Sequence, residues 1–191
     1  MDPILSIVIG PMFSGKSSYL IENINKCLKD NKTIFVINHN IDQRYNDINH
    51  ITNHNKISVD CISLNKIKQF FDYTNEKNID ISLLDYLFID EAQFFDDLEE
   101  NIKKMLETYP NLKITCVGLD GDFQQKLFND GQLLKLIPYA EKVIKLHATC
   151  SICGSKAFFT NRKTKQKEQI LVASNNIYQS VCIFINKIKI F

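Results

Sequence analysis

The 191-residue chain lacks three features that would identify large classes of protein: a charge excess, a long apolar run and a basic N-terminal leader. Its 23 lysines and arginines almost balance its 22 aspartates and glutamates, for a formal net charge of +1. No strong field therefore predicts a nucleic acid or a membrane surface as a partner. No apolar run approaches the roughly 20 residues of a membrane span, and the N-terminus does not resemble a secretory signal. We expect a cytoplasmic protein with neither kind of partner.

Internal repeats and low-complexity linkers are also absent from the sequence. The chain is too short for two full-size domains, and its 45% hydrophobic and 24% charged residues are ordinary for a globular protein. The composition changes at His147, after which cysteines and lysines become frequent. We therefore predict a main domain over residues 1–146 and a small cysteine-containing lobe over residues 147–191.

The strongest motif lies at the start of the chain, where residues 4–17 read I-L-S-I-V-I-G-P-M-F-S-G-K-S. The run Ile4–Ile9 is typical of a buried strand, and the pattern G-x-x-x-x-G-K-S follows from Gly10. A helical pattern begins directly after it, with an apolar face formed by Leu20, Ile21, Ile24, Cys27 and Leu28. Strand, glycine-rich loop and helix are the context of a P-loop, so we predict that the chain binds a nucleoside triphosphate.

The chemistry of that loop assigns its residues to phosphate binding. Backbone N–H groups and the helix N-terminus would hold phosphate oxygens, Lys16 would reach the β- and γ-phosphates, and Ser17 would ligate Mg²⁺. The residues predicted to bind ATP in this loop are Gly10, Pro11, Met12, Phe13, Ser14, Gly15, Lys16 and Ser17.

Further strands and helices alternate along the chain, which predicts an α/β fold with a parallel sheet covered on both faces. The predicted strands are Thr33–Asn38, Tyr86–Ile89, Lys113–Leu119 and Lys142–Leu146. A short helix is predicted over Leu64–Phe71, before a polar connector over residues 73–80, and a long polar loop over residues 39–56. A second amphipathic helix is predicted after Asp96, which forms a possible capping box with Glu99.

Two adjacent carboxylates, Asp90 and Glu91, follow the predicted strand Tyr86–Ile89. Asp90 matches a Walker-B aspartate, which would hold Mg²⁺ opposite Ser17. Glu91 is either a proton acceptor beside that metal or a solvated loop acid, and spacing alone does not decide between them. The string D-E-A-Q is also typical of helicases, but a helicase core needs two ATPase lobes, for which this chain is too short.

The six cysteines favour metal binding or free thiols over disulfides in a chain without an export signal. Cys27, Cys61 and Cys116 lie in helix or strand patterns and are predicted to be core residues. Cys150-x-x-Cys153 is half of a zinc site, and Cys182 is a third possible ligand. Ile185 occupies the position where a fourth cysteine would complete the site, and His147 is an alternative fourth ligand.

Six motifs in order resemble the type II thymidine kinases, the family of the vertebrate cytosolic and poxvirus enzymes. They are G-P-M-F-S-G-K-S at 10–17, D-x-R-Y at 42–45, I-D-E-x-Q-F-F at 89–95, L-D-G-x-F-Q at 119–124, C-x-x-C at 150–153 and Y-x-S-V-C at 178–182. The resemblance implies a RecA-like P-loop domain and a zinc-ribbon-like lobe with a lasso loop that covers the nucleoside. It also implies Mg²⁺- and ATP-dependent phosphorylation of thymidine at its 5′-hydroxyl, a homotetramer, and feedback inhibition by dTTP.

The resemblance also assigns roles to individual residues. Glu91 matches the general base. The phosphate and Mg²⁺ side includes Asp42, Arg44, Asp90 and Gln93, besides the P-loop. The nucleoside side comprises Met12, Phe94, Leu119, Phe123, Phe128, Thr160, Gln169, Ile170, Leu171, Val172, Ala173 and Tyr178. The zinc ligands are Cys150, Cys153 and Cys182.

Three segments depart from the family pattern. The paired glycines of the lasso are Ala173 and Ser174, the T-H-D segment is Asn53-His54-Asn55, and the tail 183–191 including Ile185 is unlike the family. A zinc site with three cysteines and another ligand, and a lobe without zinc, both remain open. The first functional hypothesis is a thymidine kinase, and the alternative is a P-loop nucleotide-binding protein with a degenerate zinc lobe and impaired kinase activity.

Overall fold

The computed structural model describes residues 2–41, 50–52, 58–166, 168–170 and 177–189 of the chain. Its strands are β1 (Leu5–Ile9), β2 (Ile34–His39), β3 (His50–Thr52), β4 (Ser58–Asp60), β5 (Ile62–Leu64), β6 (Tyr86–Ile89), β7 (Lys113–Gly118), β8 (Lys142–Lys145), β9 (Ala148–Thr149), β10 (Lys156–Ala157), β11 (Phe159–Arg162) and β12 (Tyr178–Val181). Its α-helices are α1 (Lys16–Lys29), α2 (Lys68–Glu76), α3 (Leu98–Thr108) and α4 (Ile183–Lys189).

A six-stranded parallel sheet forms the centre of the molecule, in the order β5-β2-β6-β7-β1-β8. The predicted α/β fold is confirmed. One strand, β7, separates β1, which leads into the P-loop, from β6, which leads into Asp90. This is the strand arrangement expected of a RecA-like domain. The carboxyl ends of parallel strands meet at one edge of the sheet, so the P-loop and both carboxylates lie along the same edge.

Two apolar clusters cover the two faces of this sheet. Neighbouring residues of β1 point to opposite faces, so Ile7 packs in the cluster with Phe70 of α2 and Ile102 of α3. Val8 packs in the other cluster with Leu20 and Ile24 of α1. Both faces are buried, which explains why the central strands read as continuous apolar runs.

The remaining strands form three small antiparallel sheets, β3–β4, β9–β10 and β11–β12. The β3–β4 pair lies partly within the predicted long loop, where buried Ile51 joins the cluster beside α1. The last two pairs surround a small apolar cluster of Ala148, Cys150, Ala157, Val181 and Cys182. Within the described residues, no helix has the length and apolar content needed to cross a membrane.

Three local predictions are wrong, and they concern Leu28, the helix Leu64–Phe71 and the capping box of Asp96. Leu28 was expected on the buried face of α1 but is 49% exposed. The predicted helix Leu64–Phe71 is displaced: Leu64 ends β5, and α2 extends through the predicted connector as far as Glu76. A capping side chain fixes the later start, because Gln69 Oε1 accepts hydrogen bonds from the backbone N–H groups of Asn65 and Lys66 at 2.9 and 3.0 Å.

The predicted capping box of Asp96 and Glu99 does not form either. Asp97 occupies the N-cap position of α3, but its carboxylate accepts instead from the N–H groups of Ile67 and Lys68, at 2.9 and 3.0 Å. Asp97 thus caps the start of α2 across the fold. Asp96 forms an exposed ion pair with Lys66 at 3.0 Å.

Candidate functional site

The P-loop connects β1 to α1 as predicted. Gly15, at the N-cap position of α1, has φ +82°, a left-handed conformation that glycine adopts without strain. Lys16 Nζ donates to the Pro11 carbonyl at 2.8 Å, so its ammonium lies over the loop. The Ser14 hydroxyl is buried and has no hydrogen-bond partner among the described residues. A buried unpaired hydroxyl inside such a loop fits a site that is completed by a phosphate oxygen.

The P-loop also contacts the C-terminal part of the chain, through a hydrogen bond and an apolar side chain. The Met12 N–H donates to Thr160 Oγ1 of β11 at 3.0 Å, and Thr160 is itself buried. Phe13, with φ +64°, packs against the apolar cluster that contains Cys150 and Cys182. The cysteine cluster and the phosphate-binding loop therefore share one packed interface.

Asp90 and Glu91 follow β6 directly at the carboxyl edge of the sheet. Asp90 is buried, its N–H donates to the Ile37 carbonyl at 2.8 Å, and its Oδ1 accepts from the Glu91 N–H at 3.0 Å. Glu91 is half-buried with φ +49° and ψ +35°, a left-handed conformation that is uncommon for a residue with a side chain. Backbone strain of this kind is concentrated at functional sites.

Gln93 fixes the orientation of the Glu91 carboxylate. Gln93 Nε2 donates to Glu91 Oε2 at 2.7 Å, and Gln93 Oε1 accepts from the Leu119 N–H at 2.9 Å. The contact of the Gln93 side chain with the end of β7 requires a glycine at position 118, because a Cβ there would lie 2.3 Å from Gln93 Oε1. The buried side chain of Gln93 thus links the ends of β6 and β7, a contact that its assignment to the phosphate side does not include.

Aromatic side chains gather beside these carboxylates. The rings of Phe94 and Phe128 meet edge to face with centroids 5.4 Å apart, and His39 lies 5.7 Å from Phe94. Asn129 Nδ2 donates to the Phe94 carbonyl at 2.7 Å, which joins the two ring-bearing segments. Burial lowers the pKa of His39, so its imidazole is neutral at pH 7. The result is an apolar wall of the kind that binds a flat base.

Arg162 organises a second group of aromatic side chains, and sequence reasoning did not single it out. Its guanidinium is buried and lies 3.8 Å from the centroid of the Phe123 ring and 5.0 Å from that of Tyr178. It also donates to a set of oxygens, which belong to Gln166, Glu168, Gln169 and Tyr178. Arg162 follows Thr160, a predicted nucleoside residue, by two positions, but the sequence does not indicate that this arginine points inward.

Three of the predicted metal ligands meet. The sulfur atoms of Cys150, Cys153 and Cys182 all lie within 4.8 Å of one another, and Cys153 Sγ is 3.6 Å from Cys182 Sγ. A tetrahedral zinc with bonds of about 2.3 Å needs sulfur atoms roughly 3.8 Å apart, so the donor set fits zinc. The other cysteines, Cys27, Cys61 and Cys116, are buried as predicted, and burial raises the pKa of Cys116 to about 12.

Hydrogen bonds within this cluster favour thiolates. Burial alone would raise the pKa of Cys150, but backbone N–H groups of Cys153 and Ile152, with further bonds inside the cluster, lower it to about 6. The backbone N–H of Ile185 lowers the pKa of Cys182. Ser155 Oγ lies 3.0 Å from Cys153 Sγ. His147 is not a member of the cluster in the described part of the chain, and its ring lies against Phe158.

Several predicted site residues cannot be placed. Asp42, Arg44, Leu171, Val172 and Ala173 lie outside the described residues, as do Asn53-His54-Asn55 and Ser174. Of the same nucleoside segment, Gln169 contacts Asp122 and Leu127, and Ile170 is 39% exposed.

Comparison with known proteins agrees with this geometry. A sequence model of the thymidine kinase family matches residues 3–184. The thymidine kinase of Amsacta moorei entomopoxvirus is 37% identical over 183 residues, which cover 93% of this chain and 94% of the viral protein. Thymidine kinase a of Arabidopsis thaliana is 36% identical over 177 residues, 92% of this chain and 71% of the plant protein. A thymidine kinase of Oryza sativa subsp. japonica is 32% identical over 179 residues, 93% of this chain but only 64% of the rice protein. The chain belongs to the thymidine kinase family.

Proposed function

We propose that the chain transfers the γ-phosphate of ATP directly to the 5′-hydroxyl of thymidine, with Glu91 as the general base. Family membership supports an ATP-dependent phosphotransferase that acts on thymidine. The observation that carries the mechanism is the fixed carboxylate of Glu91, which Gln93 holds at the same sheet edge as the P-loop.

In this proposal each group has one task. Lys16 moves from the Pro11 carbonyl to the β- and γ-phosphates, and the Ser14 hydroxyl gains a phosphate oxygen as its partner. Ser17 and Asp90 would hold Mg²⁺, which neutralises phosphate charge when bound with ATP. Glu91 accepts the proton of the 5′-hydroxyl, whose oxygen forms the new bond to the γ-phosphorus while the bond to the ADP oxygen breaks.

The thymine base would lie between two walls. One wall is the edge-to-face pair of Phe94 and Phe128, and the other is Phe123 with Tyr178, which Arg162 holds together. Met12, Leu119 and Thr160 would complete the pocket where the P-loop meets β11. Recognition of the edge of the thymine base by the segment Gln169–Ala173 stays a prediction from the resemblance.

We further propose a structural zinc on Cys150, Cys153 and Cys182, whose sulfur spacing supports it. Ile185 cannot supply a fourth ligand, but its backbone N–H already supports the Cys182 sulfur, and the Ser155 hydroxyl lies beside the cluster. Such a zinc would stabilise the lobe on which Phe13 packs. The homotetramer and inhibition by dTTP stay predictions from the resemblance.

A phosphoryl-transfer assay with ATP, Mg²⁺ and a panel of nucleosides tests the proposed function. We expect thymidine to be the best acceptor, with dTMP and ADP formed in equal amounts. The alternative of impaired kinase activity predicts ATP binding without dTMP formation. No observation on the described residues favours that alternative, and the fixed carboxylate of Glu91 beside Asp90 supports the proposed transfer.

A further inference from the structure

The carboxylate of Asp122 joins two segments that are distant in sequence. Asp122 is only 6% exposed, and its Oδ1 accepts from the N–H groups of Gln124 and Lys126, at 2.7 and 2.9 Å. Its other oxygen, Oδ2, accepts from Gln169 Nε2 at 3.0 Å. Gln169 Nε2 also donates to the Leu127 carbonyl at 3.0 Å. One carboxylate thus shapes the turn after β7 and holds the segment after β11 at the same time.

Phe123 lies at the centre of this junction. It follows Asp122 directly, and its ring faces the Arg162 guanidinium at 3.8 Å. Arg162 in turn donates to the Gln169 carbonyl at 3.1 Å. Gln169 therefore contacts both sides: its amide group binds the turn that carries Phe123, and its carbonyl binds the arginine that covers the same ring.

We infer that Asp122 and Gln169 are positioning residues that fix Phe123 against Arg162 and so set the width of the thymidine pocket. This inference rests on the proposed function, in which Phe123 is a wall of that pocket. Asp122 occupies the unspecified position of L-D-G-x-F-Q, so the motif assigns it no role. Neither side chain needs to touch the nucleoside or the reacting atoms.

Asp122→Asn separates the two tasks of the carboxylate. The two backbone donors at Gln124 and Lys126 keep the remaining amide oxygen, so the turn is retained. The new NH₂ group then faces the NH₂ group of Gln169, and two donors meet where a donor and an acceptor met before. Gln169→Glu causes the opposite mismatch, because two carboxylates then face each other.

The double variant Asp122→Asn with Gln169→Glu restores the donor–acceptor pair between positions 122 and 169 with its direction reversed, although the hydrogen bond to the Leu127 carbonyl stays lost. We expect each single substitution to raise the KM for thymidine about threefold to tenfold, the range for one lost hydrogen bond of this exposure. The double variant should recover part of the loss, with a KM for thymidine at least about twofold below that of Gln169→Glu alone, which is the coupling that a double-mutant cycle detects. The KM for ATP, kcat and the melting temperature should change little.

Steady-state kinetics for both substrates, thymidine affinity by calorimetry and thermal melting make up the experiment. Asp130→Asn is the matched control, since it alters an exposed carboxylate of the same region without touching Gln169. An unchanged KM for thymidine in both single variants overturns the inference. A fall in melting temperature together with a rise in the KM values for both thymidine and ATP, without recovery in the double variant, also overturns it. If Asp122→Asn fails to fold, the Gln169→Glu substitution still tests the inference, because Gln169 is exposed. An unsubstituted chain that does not phosphorylate thymidine would refute the proposed function itself, which keeps the two failures distinct.

Discussion

The Glu91 carboxylate accepts a 2.7 Å hydrogen bond from the side-chain amide of Gln93, two residues further along the chain. The same amide group accepts from the Leu119 N–H with its oxygen, so the orientation of the carboxylate depends on the end of the neighbouring strand β7. A base that is held by a buried neighbour loses little entropy when the reaction begins. This relationship makes Glu91 the residue on which the proposed chemistry is most directly testable.

Glu91→Gln should abolish turnover and leave ATP and thymidine binding nearly unchanged. Glutamine keeps an oxygen that accepts from Gln93, so the local structure is preserved, but it cannot accept a proton. Loss of a general base typically lowers kcat by ~10²–10⁴-fold. Single-turnover kinetics with calorimetric binding of both substrates would measure this. Glu100→Gln, on the exposed face of α3, is the control. If the Glu91→Gln variant kept most of its kcat, the base would have to be elsewhere.

Gly118→Ala should lower kcat although residue 118 touches no substrate in the proposed site. The added Cβ would lie 2.3 Å from Gln93 Oε1, 2.8 Å from a Leu133 methyl and 3.2 Å from the Gln93 backbone nitrogen. Gln93 must therefore move, and the Glu91 carboxylate loses its support. We expect a fall of about tenfold or more in kcat with a small change in the KM for ATP.

The matched control for this substitution is Gly121→Ala, whose Cβ would meet its nearest atom, the Lys126 carbonyl oxygen, at an ordinary 3.5 Å. Melting curves of both variants would separate an effect on catalysis from a loss of folded protein. Equal kcat values for the two alanine variants would disprove the role given to Gln93.

The sequence predicted the sheet well because its signals are local. A buried strand such as β6 is an apolar run with acidic residues at its ends, and the P-loop carries its own glycine pattern, so neither depends on distant contacts. Asp97, Asp122 and Arg162 could not be assigned in this way. Each is a polar residue whose partner lies outside its own element, as when Asp97 caps α2 rather than its own helix. Hydropathy periods and motif spacing contain no information about such pairings.

Lys16→Ala should impair the use of ATP far more than the binding of thymidine. The ammonium lies over the P-loop, bound to the Pro11 carbonyl, and supplies positive charge to the phosphates alone in the proposed mechanism. We expect kcat/KM for ATP to fall by at least ~100-fold, with thymidine affinity within about twofold of that of the unsubstituted chain. Lys29→Ala, an exposed lysine at the end of the same helix, is the control. An unchanged rate at saturating ATP would contradict the placement of Lys16.

The last prediction concerns the incomplete cysteine cluster. Three thiols lie at zinc spacing, while the fourth position holds Ile185, whose side chain packs on the cluster and whose backbone N–H supports Cys182. Ile185→Cys would place a fourth sulfur donor beside the other three and complete a four-cysteine site. Since loss of an outer-shell partner alone costs ~10–100-fold in metal affinity, gain of a direct ligand should slow zinc release to a chelator by at least about tenfold.

Zinc binding contributes directly to the folding free energy of a small lobe, and each kcal/mol gained raises the melting temperature by about 2–4 °C at this chain length. Ile185→Cys should therefore raise the melting temperature of the zinc-loaded protein and should not raise that of the chelator-treated protein, because the substitution removes part of the apolar packing of Ile185. Phe184→Cys is the matched control, because the side chain of residue 184 is 76% exposed and is not among those that form or pack on the cluster. Elemental analysis and chelator titration followed by melting would measure the effect. Absence of zinc from both the purified chain and the Ile185→Cys variant, with melting curves that a chelator does not move, would instead show that apolar packing around Cys150 and Val181 holds the lobe without a metal.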